Sequence, residues 1–342
     1  MSLMSTMIGV AERVPLPDLV VRAAITRMCA RTAAALSDQS TADAAEFAAV
    51  MARRAIAEHT ETANAQHYEV TPAFFRHVLG PKQKYSCCYY RDPHSTLEEA
   101  ETEAIRQTIA HAGLADGQSI LELGCGWGAL SLEMARAFPR STVTAVSNSR
   151  SQRGHIEDEA ARAGLHNLRV MTADMNSFAP EAKFDRIVSV EMFEHMMNWR
   201  ELLTRIRCWL APEGELFLHI FSHRSGCYVF DHARSEDWIA QNFFTGGVMP
   251  SHDLIGQYAD LFRVEQAWRW SGRHYQRTAL DWLDRFDRNR GAVEGILRGV
   301  YGKDTDLWMR RWRWFFLATA GLFGFADGNE WGVSHFRLRP SD

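Results

Sequence analysis

Residues 121–128, LELGCGWG, constrain this chain more than any other stretch, because a strand, a glycine turn and a helix follow one another there without a gap. Ser119-Ile120-Leu121-Glu122-Leu123 is a short apolar run that reads as a buried strand. Gly124, Cys125, Gly126, Trp127 and Gly128 then turn the backbone into Ala129-Leu130-Ser131-Leu132-Glu133-Met134, which has helical spacing. Glycines suit such a turn because a Cβ would push a ligand off the backbone, while the helix N-terminus presents unpaired N–H groups. Two cofactors fit it. Gly124, Gly126 and Ala129 satisfy the dinucleotide fingerprint G-x-G-x-x-G/A, which also wants an acid about 20 residues further on for a ribose hydroxyl. That place holds Ser147-Asn148-Ser149, and no Asp or Glu occurs between Glu133 and Glu157. Glu122, just ahead of the first glycine, suits a cationic amino-acid group better than a pyrophosphate. S-adenosylmethionine carries that group and no phosphate, so the acid favours it over a nicotinamide dinucleotide.

The pattern resembles motif I of Rossmann-like methyltransferases, and the rest of the chain alternates as such a fold requires. Strands are expected at 142–146, 168–171, 186–190 and 215–220 with helices between them, an α/β arrangement around a doubly wound parallel sheet. After Ser222 the alternation breaks: 261–270 reads as a sixth strand and 332–339 as a final antiparallel strand at the sheet edge. That gives a Rossmann-like class I methyltransferase fold, seven-stranded with its last strand antiparallel. Upstream, 19–59 is Ala-rich with helical spacing, Ser40 and Asp43 offer a capping box, and Thr96 with Glu98 and Glu99 opens a further helix. The expected organisation is a helical N-terminal appendage (1–65), a segment covering cofactor and substrate (66–115), and a cofactor domain (116–342). Within the last, 227–259 and 272–327 are expected to be insertions that form a helical lid near the C-terminus.

Composition excludes several classes of partner. A net charge of -4 without a basic block argues against nucleic acid. Six scattered cysteines without C-x-x-C pairs suit a reducing cytoplasm, and the N-terminal stretch lacks the pattern of a secretory signal. The apolar run 317–325 falls far short of the about 20 residues of a membrane span. Self-association into a homodimer stays open.

In doubly wound sheets ligands lie beyond the carboxyl ends of the strands, so the residues there are the candidates. After the second strand come Asn148 and Gln152, whose amides suit a ribose; after the third comes Ala173-Asp174-Met175, where an acid can accept from an adenine amino group. Singly, each is also an ordinary cap or turn residue. After the fourth comes Glu191-Met192-Phe193-Glu194-His195. Two carboxylates and a histidine so close together are costly to desolvate without a task. No zinc site is expected, since His219 and His223 fall on and just beyond a strand and no cysteine joins them. Cys88 and Cys125 read as packed thiols, because no neighbouring base is evident.

Seven motifs carry a wider resemblance: YSCCYY from Tyr85, LELGCGWG from Leu121, SVEMFEHMMNW from Ser189, FLHIFSH from Phe217, WIAQNFFTGGVMPS from Trp238, GRHYQRT from Gly272 and YGKD from Tyr301. Together, over about 66–339, the chain resembles the cyclopropane-fatty-acid synthase superfamily, and within it most resembles the plant coclaurine and pavine type N-methyltransferases. The resemblance implies that Tyr85, Ser86, Gly124, Gly126, Asn148, Gln152 and Asp174 contact S-adenosylmethionine. It also implies that Cys87, Glu194, His219 and Tyr275 match the residues by which the synthases hold bicarbonate, the base that closes the ring. Glu191 departs from the synthases, which resemble SVGMFEH there, and Glu69 stands where they carry an Asp in HYD. Both glutamates match the N-methyltransferases, as do Glu194 and His195. An added carboxylate is unfavourable beside an acyl chain and favourable beside an ammonium group.

The expected activity is therefore S-adenosylmethionine-dependent N-methylation of a small aromatic or apolar amine, with Glu69 and Glu191 binding the amine and Glu194 and His195 removing its proton. The alternative within the superfamily is cyclopropanation of a phospholipid acyl chain with bicarbonate as base. A non-catalytic protein that keeps the cofactor fold is a third reading, against which the intact EMFEH and YSCC stretches argue.

Overall fold

Successive apolar segments with strand spacing, separated by amphipathic helical segments, pair into one seven-stranded sheet in the computed structural model, which describes residues 8–58, 70–234 and 237–342. Its order is β3-β2-β1-β4-β5-β9-β8. The strands are β1 (Ser119–Leu123), β2 (Thr142–Ser147), β3 (Leu168–Thr172), β4 (Phe184–Val190), β5 (Leu210–His223), β8 (Phe262–Ser271) and β9 (Trp331–Pro340). β6 (Tyr228–Val229) and β7 (Val248–Met249) form a separate small ribbon. β1 to β5 run parallel, and β9 runs antiparallel to both of its neighbours, β5 and β8.

The last strand is antiparallel as expected, but it is not at the edge. β9 is inserted between β5 and β8, and β8 forms the border. Solvation explains this. Trp331 to Phe336 are buried, whereas Arg263, Val264, Glu265, Gln266 and Ala267 of β8 are exposed, as an edge requires. The Pro212-Glu213-Gly214 turn lies inside β5 as an irregularity, where the pairing with β4 jumps from Phe184↔Leu210 to Arg186↔Glu215.

Alternation along β1 shows how the sheet is buried. Leu121 and Leu123 face the cluster built on α7 (Trp199–Trp209), with Trp199, Leu202, Leu203 and Ile206. Ile120 faces the opposite cluster, with Ile105 of α4 (Leu97–His111) and Leu130 and Met134 of α5 (Ala129–Ala137). The capping box read from the sequence is formed, Ser40 with Asp43 opening α2 (Thr41–Met51), and the acidic helix start read at Thr96 turns out to carry a second one, Thr96 with Glu99, at α4. α1 (Asp18–Leu36) precedes α2.

A third cluster is largely aromatic. Phe74 and Phe75 of α3 (Pro72–Val78) pack with Trp282 and Phe286 of α9 (Gly272–Arg288) and with Trp312 and Phe316 of α11 (Thr305–Gly324). α6 (Arg150–Arg162), α8 (Trp238–Asn242) and α10 (Arg290–Tyr301) complete the set of labelled helices. No described helix is long and apolar enough to cross a membrane.

Candidate active site

The carboxyl ends of β1, β2 and β4 open into a cavity of about 220 Å³. The glycine turn is one wall. Gly124, Gly126 and Gly128 all have left-handed φ, at 80°, 52° and 84°. A Cβ at Gly126 would meet no protein atom within 4 Å, whereas one at Gly124 would strike Met192. The turn is thus open at Gly126 and braced from behind at Gly124.

Glu122 closes this end of the cavity. It is 2% exposed, and among the described residues its one hydrogen-bond partner is the Ser131 hydroxyl, which donates to Oε2. Burial pushes its carboxyl up to about 7. A buried acid with one neutral partner is incomplete without a cation, and the ammonium group of S-adenosylmethionine is such a cation. Gln152 is held by Ser147, whose hydroxyl donates to its Oε1 at 2.6 Å, so its amide nitrogen remains for a ligand. Asp174 turns the chain after β3 by accepting from the Asn176 N–H at 2.8 Å. Asn148, Met175, Tyr85 and Ser86 lie on the same wall. The residues present fit the cofactor.

At the other end stands Glu191, with φ at +47°. That region favours glycine, so a side chain here is held against a local preference. Three donors hold it. The Cys87 N–H donates to Oε1 at 2.9 Å, His219 Nε2 lies 3.2 Å from Oε1, and the Tyr275 hydroxyl donates to Oε2 at 2.7 Å. Burial raises its pKa, opposed by the Lys84 charge and by the Cys87 and Tyr275 hydrogen bonds.

Cys87, His219 and Tyr275 are three of the four residues that the family resemblance links to bicarbonate. In this chain all three bond the Glu191 carboxylate, a planar anion of the same shape. The fourth, Glu194, is fully buried and is not on the cavity wall. Its Oε1 accepts from the Phe221 N–H at 2.6 Å, while Oε2 has no hydrogen-bond partner among the described residues. Burial and the neighbouring Glu191 push its carboxyl well up. His195 is on the wall, with its ring 4.4 Å from that of Phe244. Glu69 lies outside the described residues.

Sequence reasoning missed Lys84 and the aromatic walls. Lys84 is a buried cation whose Nζ donates to Ser86 Oγ at 2.6 Å and to the Cys87 carbonyl at 2.5 Å. Its closeness in sequence to YSCCYY was the available signal. Trp127, Trp282, Phe244 and Phe315 also line the cavity, from four separate parts of the chain, and no local spacing announces that. The Cys87, Cys88 and Cys125 thiols are buried, which pushes all three up and away from reactivity.

Comparison with known proteins places this geometry. The sequence profile of the mycolic acid cyclopropane synthetase family matches residues 56–324. The chain is 36% identical over 285 residues to (S)-coclaurine N-methyltransferase of Thalictrum flavum subsp. glaucum, covering 82% of this chain and 79% of that one. A crystal structure of coclaurine N-methyltransferase bound to N-methylheliamine and SAH superposes with a TM-score of 0.91 at 32% identity, covering 95% of this chain and 96% of the other. The cyclopropane synthase MmaA2 from Mycobacterium tuberculosis superposes less closely, with a TM-score of 0.71 at 26% identity over 83% of this chain and 99% of that one.

Proposed function

The chain belongs to the mycolic acid cyclopropane synthetase family and is an S-adenosylmethionine-dependent methyltransferase, and from that premise we propose that it N-methylates a small amine with an aromatic or apolar body. One observation carries the choice of acceptor: Glu191, a carboxylate on the cavity wall, occupies the donors of Cys87, His219 and Tyr275. A built-in anion beside the reacting carbon attracts an ammonium group and disfavours an alkene.

A carboxylate offers about four lone-pair sites, and three donors already use Glu191, so one remains for an amine N–H. The amine enters as its cation and must lose a proton before its lone pair can react. Glu191 and His195, both on the wall, bind it and take up that proton. The family resemblance assigns Glu69 to amine binding, while Glu194 stands behind the wall with its carboxyl pushed well up by burial and by Glu191. Phe244, Phe315 and Trp282 provide apolar surface for the body of the amine, and 227–259 with 272–327 act as the lid. The bound cofactor supplies an activated methyl group on a sulfonium, so alignment does most of the remaining work. With Glu191 in place, no free bicarbonate is required.

The test is incubation with methyl-labelled S-adenosylmethionine and, separately, secondary amines with an aromatic body or dispersed unsaturated phospholipid. The expected result is a gain of one methyl on amine and no label in lipid. Label in the acyl chains with none on any amine would overturn the assignment.

A further inference from the structure

The charged side chains on the cavity wall are acids, with one exception. Glu58, Glu122, Asp174 and Glu191 line it, and among the described residues Lys84 is the only Lys or Arg that does. Methyl transfer as set out above gives Lys84 no task. It is nevertheless only 5% exposed, a depth at which an ammonium group is costly unless its N–H groups are met.

α4 holds this residue in place. Glu101 of α4 is fully buried, and its carboxylate accepts from the Lys82 N–H at 2.9 Å and from the Lys84 N–H at 3.2 Å. Between these two donors the backbone passes through Gln83 in the left-handed region, at φ 51°. A Cβ at Gly80 would strike the same carboxylate, so the whole turn is packed against it.

The two lysines of the turn end differently. Lys82 Nζ pairs with Glu133 at 3.2 Å, but among the described residues Lys84 Nζ has no carboxylate partner. It donates instead to two neutral acceptors, Ser86 Oγ at 2.6 Å and the Cys87 carbonyl at 2.5 Å. An ammonium group has three N–H donors, so one is left over. Ser86 accepts in its bond with Lys84, so its own O–H is left over as well.

Glu122, on the same cavity, is the opposite case: a buried acid with one neutral partner. One wall therefore holds an acid short of a cation and a cation short of an anion. The amino-acid end of S-adenosylmethionine carries both missing charges. We propose that Lys84, with the Ser86 hydroxyl beside it, binds the cofactor's carboxylate, as Glu122 takes its ammonium group. Two donors then meet the two carboxylate oxygens, and the Lys84 bond is charge-assisted. The assignment depends on the cofactor and not on which acceptor is methylated.

A lysine kept for Glu191 alone is the competing account. The charge of Lys84 does lower the Glu191 pKa, yet it acts there as a field without an ion pair and leaves the last N–H unused.

Binding of two ligands to the cofactor-free protein decides between them. One is S-adenosylhomocysteine, and the other is its decarboxylated analogue, which keeps the amine, the thioether and the nucleoside. By calorimetry, Lys84→Met is expected to weaken S-adenosylhomocysteine by about 10-fold or more and to leave the cationic analogue unchanged or bound more tightly. Equal losses for both ligands would mean that Lys84 only shapes the wall, and no loss for S-adenosylhomocysteine would mean that it serves Glu191 alone. Either result overturns the proposal. A second measurement needs no variant. The sequence has four lysines, Lys82, Lys84, Lys183 and Lys303, so their side-chain signals in a lysine-labelled wild type can be told apart by NMR. The Lys84 ammonium signal is expected to move when S-adenosylhomocysteine saturates the site and to stay near its ligand-free position with the analogue. The same response to both ligands would also overturn the proposal.

Discussion

Glu191 keeps a left-handed backbone that costs a residue with a Cβ roughly 1 kcal/mol or more, and three donors hold its carboxylate in return. A position where glycine would be easier has been given an acid, which is the mark of a functional constraint. Glu122 carries a separate prediction. Its pKa in the folded protein, about 7, lies above the ordinary value of 4.5. The stability it contributes is therefore fully present below about pH 4.5 and is lost as pH rises through about 7. Glu122→Gln is expected to raise the Tm of the cofactor-free protein at about pH 8, with the gain vanishing near pH 4.5. In the wild type, S-adenosylhomocysteine affinity should fall as pH drops from about 8 to about 6, and the variant should bind weakly with a flatter profile. Calorimetry over that range checks both; an unchanged affinity in the variant would remove Glu122 from the cofactor site.

Elements differ in how far local sequence determines them. The capping box of α2 is local: Ser40 accepts from the Asp43 N–H, and the Asp43 carboxylate accepts from the Ser40 N–H. Ser40→Ala is expected to cost about 1 kcal/mol by denaturant unfolding while leaving turnover within about twofold. Strand order is not local. A 332–339 run with few charges reads as a strand from its own residues, but its insertion between β5 and β8 depends on which neighbour tolerates water, and the charged run in β8 decides that. α9 is where element and site meet, since it carries both Tyr275 and Trp282 to the cavity. Trp282→Ala is expected to raise the KM for the amine about 10-fold or more, with a smaller effect on kcat.

Across the whole molecule, all six cysteines are free, with Cys208 exposed and the other five buried. A limiting dose of iodoacetamide should modify Cys208 first, read by peptide mass mapping, and leave methyl transfer intact; early modification of Cys87 or Cys88 with loss of activity would contradict the packing described here. The glycine turn, Glu122 and the acids after β4 were legible in the sequence because each follows a strand directly, and the sheet delivers strand ends to one place. The aromatic walls were not. Trp127, Trp282 and Phe315 converge through tertiary packing that no single segment encodes. The family resemblance brought Cys87, His219 and Tyr275 together as an anion site, and the fold supplies the anion from Glu191. The most direct measurement on that claim is the steady-state rate of Glu191→Gly with an amine acceptor, with and without added bicarbonate. The expected result is a fall in kcat of about 100-fold or more in a stably folded protein, partly restored by bicarbonate in the vacated donor set. Full amine turnover by the variant, with no response to bicarbonate, would contradict it.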